Sequence, residues 1–241
     1  SGGKIQIKMT LEVKVSKKLV PYKTAFEQLR KRVDCIKNHK SNDLLWILEH
    51  PLTYTYGIRS KENEVLDKNI KLIKTNRGGK ITLHNPGQKI IYLVLDLNKR
   101  RKDIRNLIRN IENSIIEFLK IYKINSYSDQ KNIGIWVDGK KIAAIGIRVT
   151  QWIAYHGCSI NINNSLIPYN KIIPCGLKDS KVTSVKNEIK ICETAAAQHK
   201  IEIKIMVSTC LASCSSNSVL INILCLSEFA MMMLLMMYCY N

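Results

Sequence analysis

The stretch from Asp103 to Ile121 admits one regular conformation. Ile104, Leu107, Ile108, Ile111, Ile115, Phe118 and Leu119 recur at three- and four-residue steps, which gathers them into one stripe on a helix. Asp103 is placed to cap its first turn. A helix with a single apolar stripe must lay it against another layer, and the surrounding sequence supplies strands. Lys8 to Ser16 alternates, with Leu11, Val13 and Val15 on one side; Leu44 to Leu48 (LLWIL) is a compact apolar run suited to a buried strand. Thr53 to Tyr56, Lys71 to Thr75, Lys89 to Leu97 and Ala154 to Ile162 read as further strands. Ile133 to Val137 and Lys141 to Val149 flank Asp138-Gly139-Lys140, a hairpin signal. Tyr22 to Ile36 carries a second helical stripe through Ala25, Phe26, Leu29, Val33 and Ile36. Strands interrupted by two long helices predict an α+β fold in one domain of roughly 190 residues.

Charge is the second constraint. The chain has 38 basic and 19 acidic residues, a net charge of +19. From Lys190 onward three Lys face three Glu, so the whole excess lies in residues 1 to 189. Such a surface suits an acidic partner: nucleic acid, an anionic membrane or an acidic protein. Only nine of the basic residues are Arg. Arg is the usual bidentate reader of bases, so the Lys bias argues against sequence-specific nucleic-acid recognition. A hydrophobic content of 46% with five Pro and 11 Gly excludes a disordered or fibrous chain. No N-terminal apolar segment with a cleavage site is visible, and the expectation is a cytoplasmic protein with reduced thiols. Ser1-Gly2-Gly3 has the look of a cloning remnant at the head of an extension over residues 1 to 9.

Three segments are too rich in Gly, His and Pro for ordinary connections. One runs from Arg77 through Gly78, Gly79, Lys80, Ile81, Thr82, Leu83 and His84 to Asn85-Pro86-Gly87-Gln88. Paired glycines let backbone approach a ligand and offer N–H groups to an oxyanion; alone, they read more readily as a turn before a strand. The second is Gly139-Lys140-Lys141-Ile142-Ala143-Ala144-Ile145-Gly146, in which Lys141 opens a strand of small and apolar residues. The third is Ile172-Ile173-Pro174-Cys175-Gly176, where the flanking Pro and Gly place a cysteine on a loop.

Taken in order, RGG…H…PGQ, GKKIAAIG, YHG…N.N and PCG resemble the lipoyl(octanoyl) transferase family of the biotin/lipoate protein ligase-like superfamily. Leu48-Glu49-His50-Pro51 with Tyr54-Thr55-Tyr56-Gly57, and Thr183-Ser184-Val185 after the cysteine loop, extend the resemblance. It covers about residues 10 to 189. It implies an α+β catalytic domain over 10–189 with a central mixed β-sheet and flanking helices, akin to class II aminoacyl-tRNA synthetases and biotin synthetases. The activity it implies is transfer of an octanoyl group from octanoyl-acyl carrier protein to a lysine of lipoyl-accepting domains, those of 2-oxoacid dehydrogenase complexes and the glycine cleavage H protein. The route is a cysteine thioester, with no cofactor, no metal, no nucleic acid and no membrane.

By the same resemblance Cys175 is the nucleophile and Lys141 its proton partner. The substrate-contacting stretches correspond to Arg77 through His84, to Ala144, Ile145 and Gly146, and to Gly157, Cys158 and Ser159. His156 and His84 are supporting polar candidates. A thiol with a pKa of about 8.5 needs a neighbouring cation to hold it as thiolate, and Lys140 is expected on the opposite face of the strand from Lys141. Two positions depart from the family's pattern: Asn85 stands where Gly is usual, and Cys158 where an apolar residue is usual, read here as wall. The largest departure is an apolar, Cys/Met-rich tail over residues 190–241. Its 12-residue apolar block from Phe229 to Tyr240 is short of the roughly 20 needed to span a bilayer. Cys192, His199, Cys210 and Cys214 match no regular zinc-finger spacing.

Two alternatives stay open. One is an ATP-dependent lipoate or biotin ligase. A biotin ligase would carry a Gly-Arg-Gly-Arg loop, which is absent, and a lipoate ligase lacks the Pro-Cys-Gly nucleophile. The other is a non-enzymatic basic binding module, which leaves the ordered Gly/His/Lys/Cys constellation unexplained.

Overall fold

The computed structural model describes residues 11–129, 131–174 and 181–189. The strands are β1 (Leu11–Val15), β2 (Asp43–Leu48), β3 (Thr53–Tyr56), β4 (Leu72–Lys74), β5 (Thr82–His84), β6 (Gln88–Asp96), β7 (Tyr127–Ser128), β8 (Ile135–Val137), β9 (Lys140–Thr150), β10 (Ile153–Asn161) and β11 (Lys181–Val182). The helices are α1 (Tyr22–Lys37), α2 (Ile104–Ile121) and the short α3 (Val185–Glu188). The main sheet is ordered β1-β2-β6-β10-β9-β8-β7, with β11 added beside β9. Its β1–β2 and β11–β9 pairs are parallel and the others antiparallel, which makes it the expected mixed sheet.

The run LLWIL lacks alternation because both faces of β2 are covered. Leu44, Trp46 and Leu48 pack with Ala25, Leu29, Val33 and Ile36 of α1. Leu45 and Ile47 pack with Ile111, Ile115, Phe118 and Leu119 of α2. β6 divides the same way: Ile90, Tyr92 and Val94 go to the α1 layer, Ile91, Leu93 and Leu95 to the α2 layer. Asp103 accepts from the Asn106 N–H at 2.9 Å and caps α2, a contact worth about 1 kcal/mol.

The Asp138-Gly139 turn forms with positive φ at both residues (46° and 72°), and Lys140 falls in β9 rather than in the turn. The β9–β10 hairpin has an equally tight turn at Gln151 and Trp152, whose φ values of 48° and 61° no Gly or Asn announces. A long ladder on either side of that turn holds it in place. A three-stranded sheet, β4-β3-β5, is a second departure, since Thr82–His84 reads in sequence only as part of a loop. It builds a small core from Tyr54, Ile81, Leu83, Tyr169 and Ile172. Among the described residues no helix is long and apolar enough to cross a membrane. Residues 1–10 and the 190–241 tail, with its candidate ligands Cys192, His199, Cys210 and Cys214, lie outside the described residues.

Candidate active site

Lys141 is turned into a cavity by an irregularity that the pattern KKIAAIG conceals. Simple alternation along β9 would put Lys141 on the same face as Ala143, Ile145 and Ile147, which belong to the α2 core layer. The pairing with β8 instead skips a residue: Ile135 faces Ala143, and Trp136 faces Lys141. Ile142 is the extra residue of a β-bulge, and both Ile142 and Ala143 are buried in that core. The bulge therefore re-aims Lys141 to the other face, which it shares with Ala144 and Gly146. Lys140, on the expected opposite side, pairs with Glu188 at 2.7 Å.

The side-chain nitrogen of Lys141 is seated by local backbone. Its side chain is buried, Nζ donates to Ile133 O at 3.0 Å, and it lies 4.7 Å from the Trp136 ring centroid. Gly134 makes that seat available. Its φ is +141°, and a Cβ there would lie 2.8 Å from Lys141 Cε and 3.0 Å from Nζ. The strand pattern of Ile133 to Val137 includes residue 134, but β8 begins at Ile135 because this conformation cannot continue a regular ladder.

The cavity measures about 390 Å³, within the range of small-molecule sites. Arg77, Gly79, Lys80, Ile81, Thr82 and His84 line one side; Lys141, Ala144, Ile145 and Gly146 line another; His156, Gly157, Cys158 and Ser159 lie on β10. Two residues of the predicted stretches sit elsewhere. Leu83 is turned by alternation along β5 into the small core. Gly78 packs against β9, where a Cβ would come 2.7 Å from Ile147 O. Arg77 is a clamp for its own loop: it donates to Thr55 Oγ1 and O at 2.8–3.2 Å and to Gly78 O at 3.0 Å. Lys80 pairs with buried Glu64 at 3.2 Å.

The histidines of this region are held neutral. Burial pushes His156 down to about 3, with Arg77 and Arg148 adding repulsion, and burial also holds His84 well below the usual histidine range. His156 has a φ of +72° in the middle of a strand, a costly conformation for a side chain of its size. Its Nε2 bonds Asn76 Oδ1 at 2.9 Å, and its ring stacks 5.7 Å from Phe26 on the α1 side. Burial pushes the Cys158 thiol up to about 12, so it is no ready thiolate. β10 is paired on both edges, so the N–H groups of Gly157, Cys158 and Ser159 point along the sheet toward β6 and β9. That segment offers the cavity small side faces rather than an oxyanion hole.

A buried amide network adjoins the cavity without any periodic signal in the sequence. Gln88 Nε2 donates to Asn161 Oδ1 at 2.9 Å and to Tyr169 OH at 3.0 Å; Asn161 Nδ2 donates to Thr183 O at 2.9 Å. Asn85 joins it through Asn164 and also donates to Ser165 O at 2.8 Å, which gives the departure from Gly a bracing role. The motif fragments PGQ and N.N were the only sequence signal. Beside this network a hollow of about 10 Å³ is lined by Lys141, Ser159, Asn161, Tyr169 and Pro174. Cys175 itself lies outside the described residues. Among the described residues no group of three His, Cys, Asp or Glu could hold a metal ion.

Comparison with known proteins accords with this architecture. A family model described as the lipoyl protein ligase A/B catalytic domain matches residues 21–211. The octanoyltransferase of Wolbachia pipientis subsp. Culex pipiens is 42% identical over 187 residues, covering 74% of this chain and 91% of that protein. The octanoyltransferase of Anaplasma phagocytophilum is 41% identical over 184 residues, 74% of this chain and 88% of that protein. Among solved structures, lipoate-protein ligase A bound with ATP superimposes with a TM-score of 0.58 at 13% identity, over 78% of this chain and 82% of that one. A bipartite lipoate protein ligase from Thermoplasma acidophilum gives 0.57 at 14%, over 80% and 82%. With that family model over most of the chain and relatives above 40% identity across nearly their whole length, the chain belongs to the lipoyl(octanoyl) transferase family.

Proposed function

We propose that this protein moves an octanoyl group from octanoyl-acyl carrier protein to a lysine of a lipoyl-accepting domain, with Cys175 as nucleophile and Lys141 as proton carrier. One observation carries the assignment of the pair. Pro174, covalently next to Cys175, lines a hollow with Lys141, and Val182, two residues past the 175–180 segment, is the register partner of Lys141. The described chain thus stops before Cys175 and resumes after residue 180 beside the same lysine.

The chemistry balances without an oxidant or a metal. Lys141, as the neutral amine, takes the thiol proton of Cys175 and becomes the ammonium, and the thiolate attacks the thioester carbonyl carbon. As the tetrahedral intermediate collapses, the bond to the pantetheine sulfur breaks and Lys141 returns the proton to that leaving sulfur. The amine of the acceptor lysine then attacks the Cys175 thioester, an amide bond forms, and the amine's proton passes through Lys141 to the departing Cys175 sulfur. His84 and His156 are held neutral, Lys80 is paired with Glu64 and Lys131 is exposed at the rim, so among the described cavity residues Lys141 is the one best suited to carry that proton. Arg59 and Lys131, both exposed on the cavity's rim, suit the approach of an acidic carrier protein. The catalytic domain is taken as residues 10–189.

Intact-mass measurement after mixing with octanoyl-acyl carrier protein tests this. One octanoyl adduct is expected on the parent protein and none on Cys175→Ser. Equal labelling of the two, or no adduct on a folded parent, would refute the assignment.

A further inference from the structure

The floor of the main cavity is two cross-strand rows. Ala144, Ser159 and Ile90 stand side by side on β9, β10 and β6, and Gly146, Gly157 and Tyr92 form the next row. The rows change character across the sheet. On β9 and β10 they are small, and on β6 they become Ile and Tyr, so the floor is low on the Lys141 strand and rises at β6.

Over β6 the cavity meets four rings in mutual contact. Tyr22 stacks on His84 at 5.9 Å, His84 meets His50 edge-on at 5.5 Å, and His50 lies 5.7 Å from Tyr92 and 5.3 Å from Tyr22. Hydrogen bonds pin the arrangement. His50 Nε2 bonds Tyr92 OH at 2.8 Å and its Nδ1 bonds Val20 O at 2.5 Å, while His84 Nδ1 bonds Gln88 Oε1 at 2.8 Å. All four side chains are buried, and Tyr22, His84 and Tyr92 line the cavity. Burial also keeps both histidines uncharged at neutral pH. The far end is therefore closed by a fixed, neutral wall.

The width between the two ends matches a chemical length. From β9 to β6 is two strand spacings, about 10 Å at about 4.8 Å each. An extended eight-carbon acyl chain spans about 9 Å from carbonyl to methyl, given carbon–carbon bonds of about 1.5 Å. Building on the acyl-transfer reading above, we propose that the Tyr22–His50–His84–Tyr92 ring wall is the acyl-length stop, admitting straight chains to about eight carbons and excluding longer ones.

The test is a competition among hexanoyl-, octanoyl- and dodecanoyl-acyl carrier protein, read as the mass of the adduct formed in a single turnover. The parent protein should load octanoyl at least about tenfold faster than dodecanoyl, the scale on which apolar pockets discriminate methylenes. Tyr22→Ala removes part of the wall and should bring dodecanoyl level with octanoyl, whereas Tyr22→Phe keeps the ring and the parent's preference. Ser159→Val raises the middle of the floor and should shift preference toward hexanoyl. The length stop is overturned if the parent does not discriminate, or if folded Tyr22→Ala and Ser159→Val both keep its preference. Failure of all three donors to load the parent would sink the transfer reading instead. The wall would then be judged by calorimetry with the free acids: affinity that drops beyond eight carbons and recovers in Tyr22→Ala supports it, and a flat series overturns it.

Discussion

Gly134→Ala separates the seat of Lys141 from general stability. An added Cβ would lie 2.7 Å from Ala143 O and 2.8 Å from Lys141 Cε, about 0.6–0.7 Å inside the 3.4 Å where ordinary contact begins. Neither neighbour yields without consequence. Ala143 is core backbone, and Lys141 Cε carries the Nζ held by Ile133 O. The φ of +141° is closed to alanine as well. Backbone strain and overpacking together should lower stability by about 3 kcal/mol. A Lys141 nitrogen displaced on the ångström scale should slow acyl-enzyme formation about 100-fold. The matched control is Gly139→Ala, where φ is +72° but nothing lies within 4 Å. It should lose about 1 kcal/mol through the backbone alone and keep its acylation rate. Urea unfolding measures the first quantity for each variant, and single-turnover intact mass the second. If Gly134→Ala acylates within about threefold of the parent, or Gly139→Ala slows equally, the inferred seat of Lys141 is wrong.

Two further outcomes are expected. Burial pushes His50 down to about 4 and His156 to about 3, against about 6.5 in an unfolded chain. Their contribution is complete above pH 6.5 and is lost as pH falls toward those lowered values, because the unfolded chain takes up protons that the folded one refuses. The stability lost on full acidification through His50 alone is about 3 kcal/mol on this scale. Urea midpoints should drop steadily from pH 6.5 to 4.5, with a flatter slope in His50→Asn; a parent midpoint constant over that range would contradict neutral burial. Separately, kcat/KM with octanoyl-acyl carrier protein should fall about tenfold between 50 and 300 mM salt. With a small uncharged octanoyl thioester it should hardly change, and equal salt sensitivity for both donors would remove the docking role of the basic surface.

What the sequence disclosed follows from how locally each feature is encoded. The stripe of α2, its Asp103 cap and the Asp138-Gly139 turn each rest on neighbours within a few residues, and all three form as expected. The ring wall is the opposite case. Tyr22, His50, His84 and Tyr92 come from α1, the segment after β2, β5 and β6, and no period relates them. The Lys141 bulge is harder still, because KKIAAIG satisfies strand alternation in either register. Only the demand of the α2 layer for both Ile142 and Ala143 decides it.

The features that escape local rules are gathered at one place. The bulge at Ile142, the left-handed His156, the extended Gly134 and the neutral buried histidines all border the cavity or hold a group that does. A fold that needed only to be stable could do without a strained histidine in its central strand or a lysine withdrawn from water. Each is destabilising where it stands, and the two covered faces of the sheet supply the stability that tolerates them. A concentration of unfavourable local choices around one cavity, rather than any single residue, is what marks that cavity as the part of this chain shaped by its chemistry.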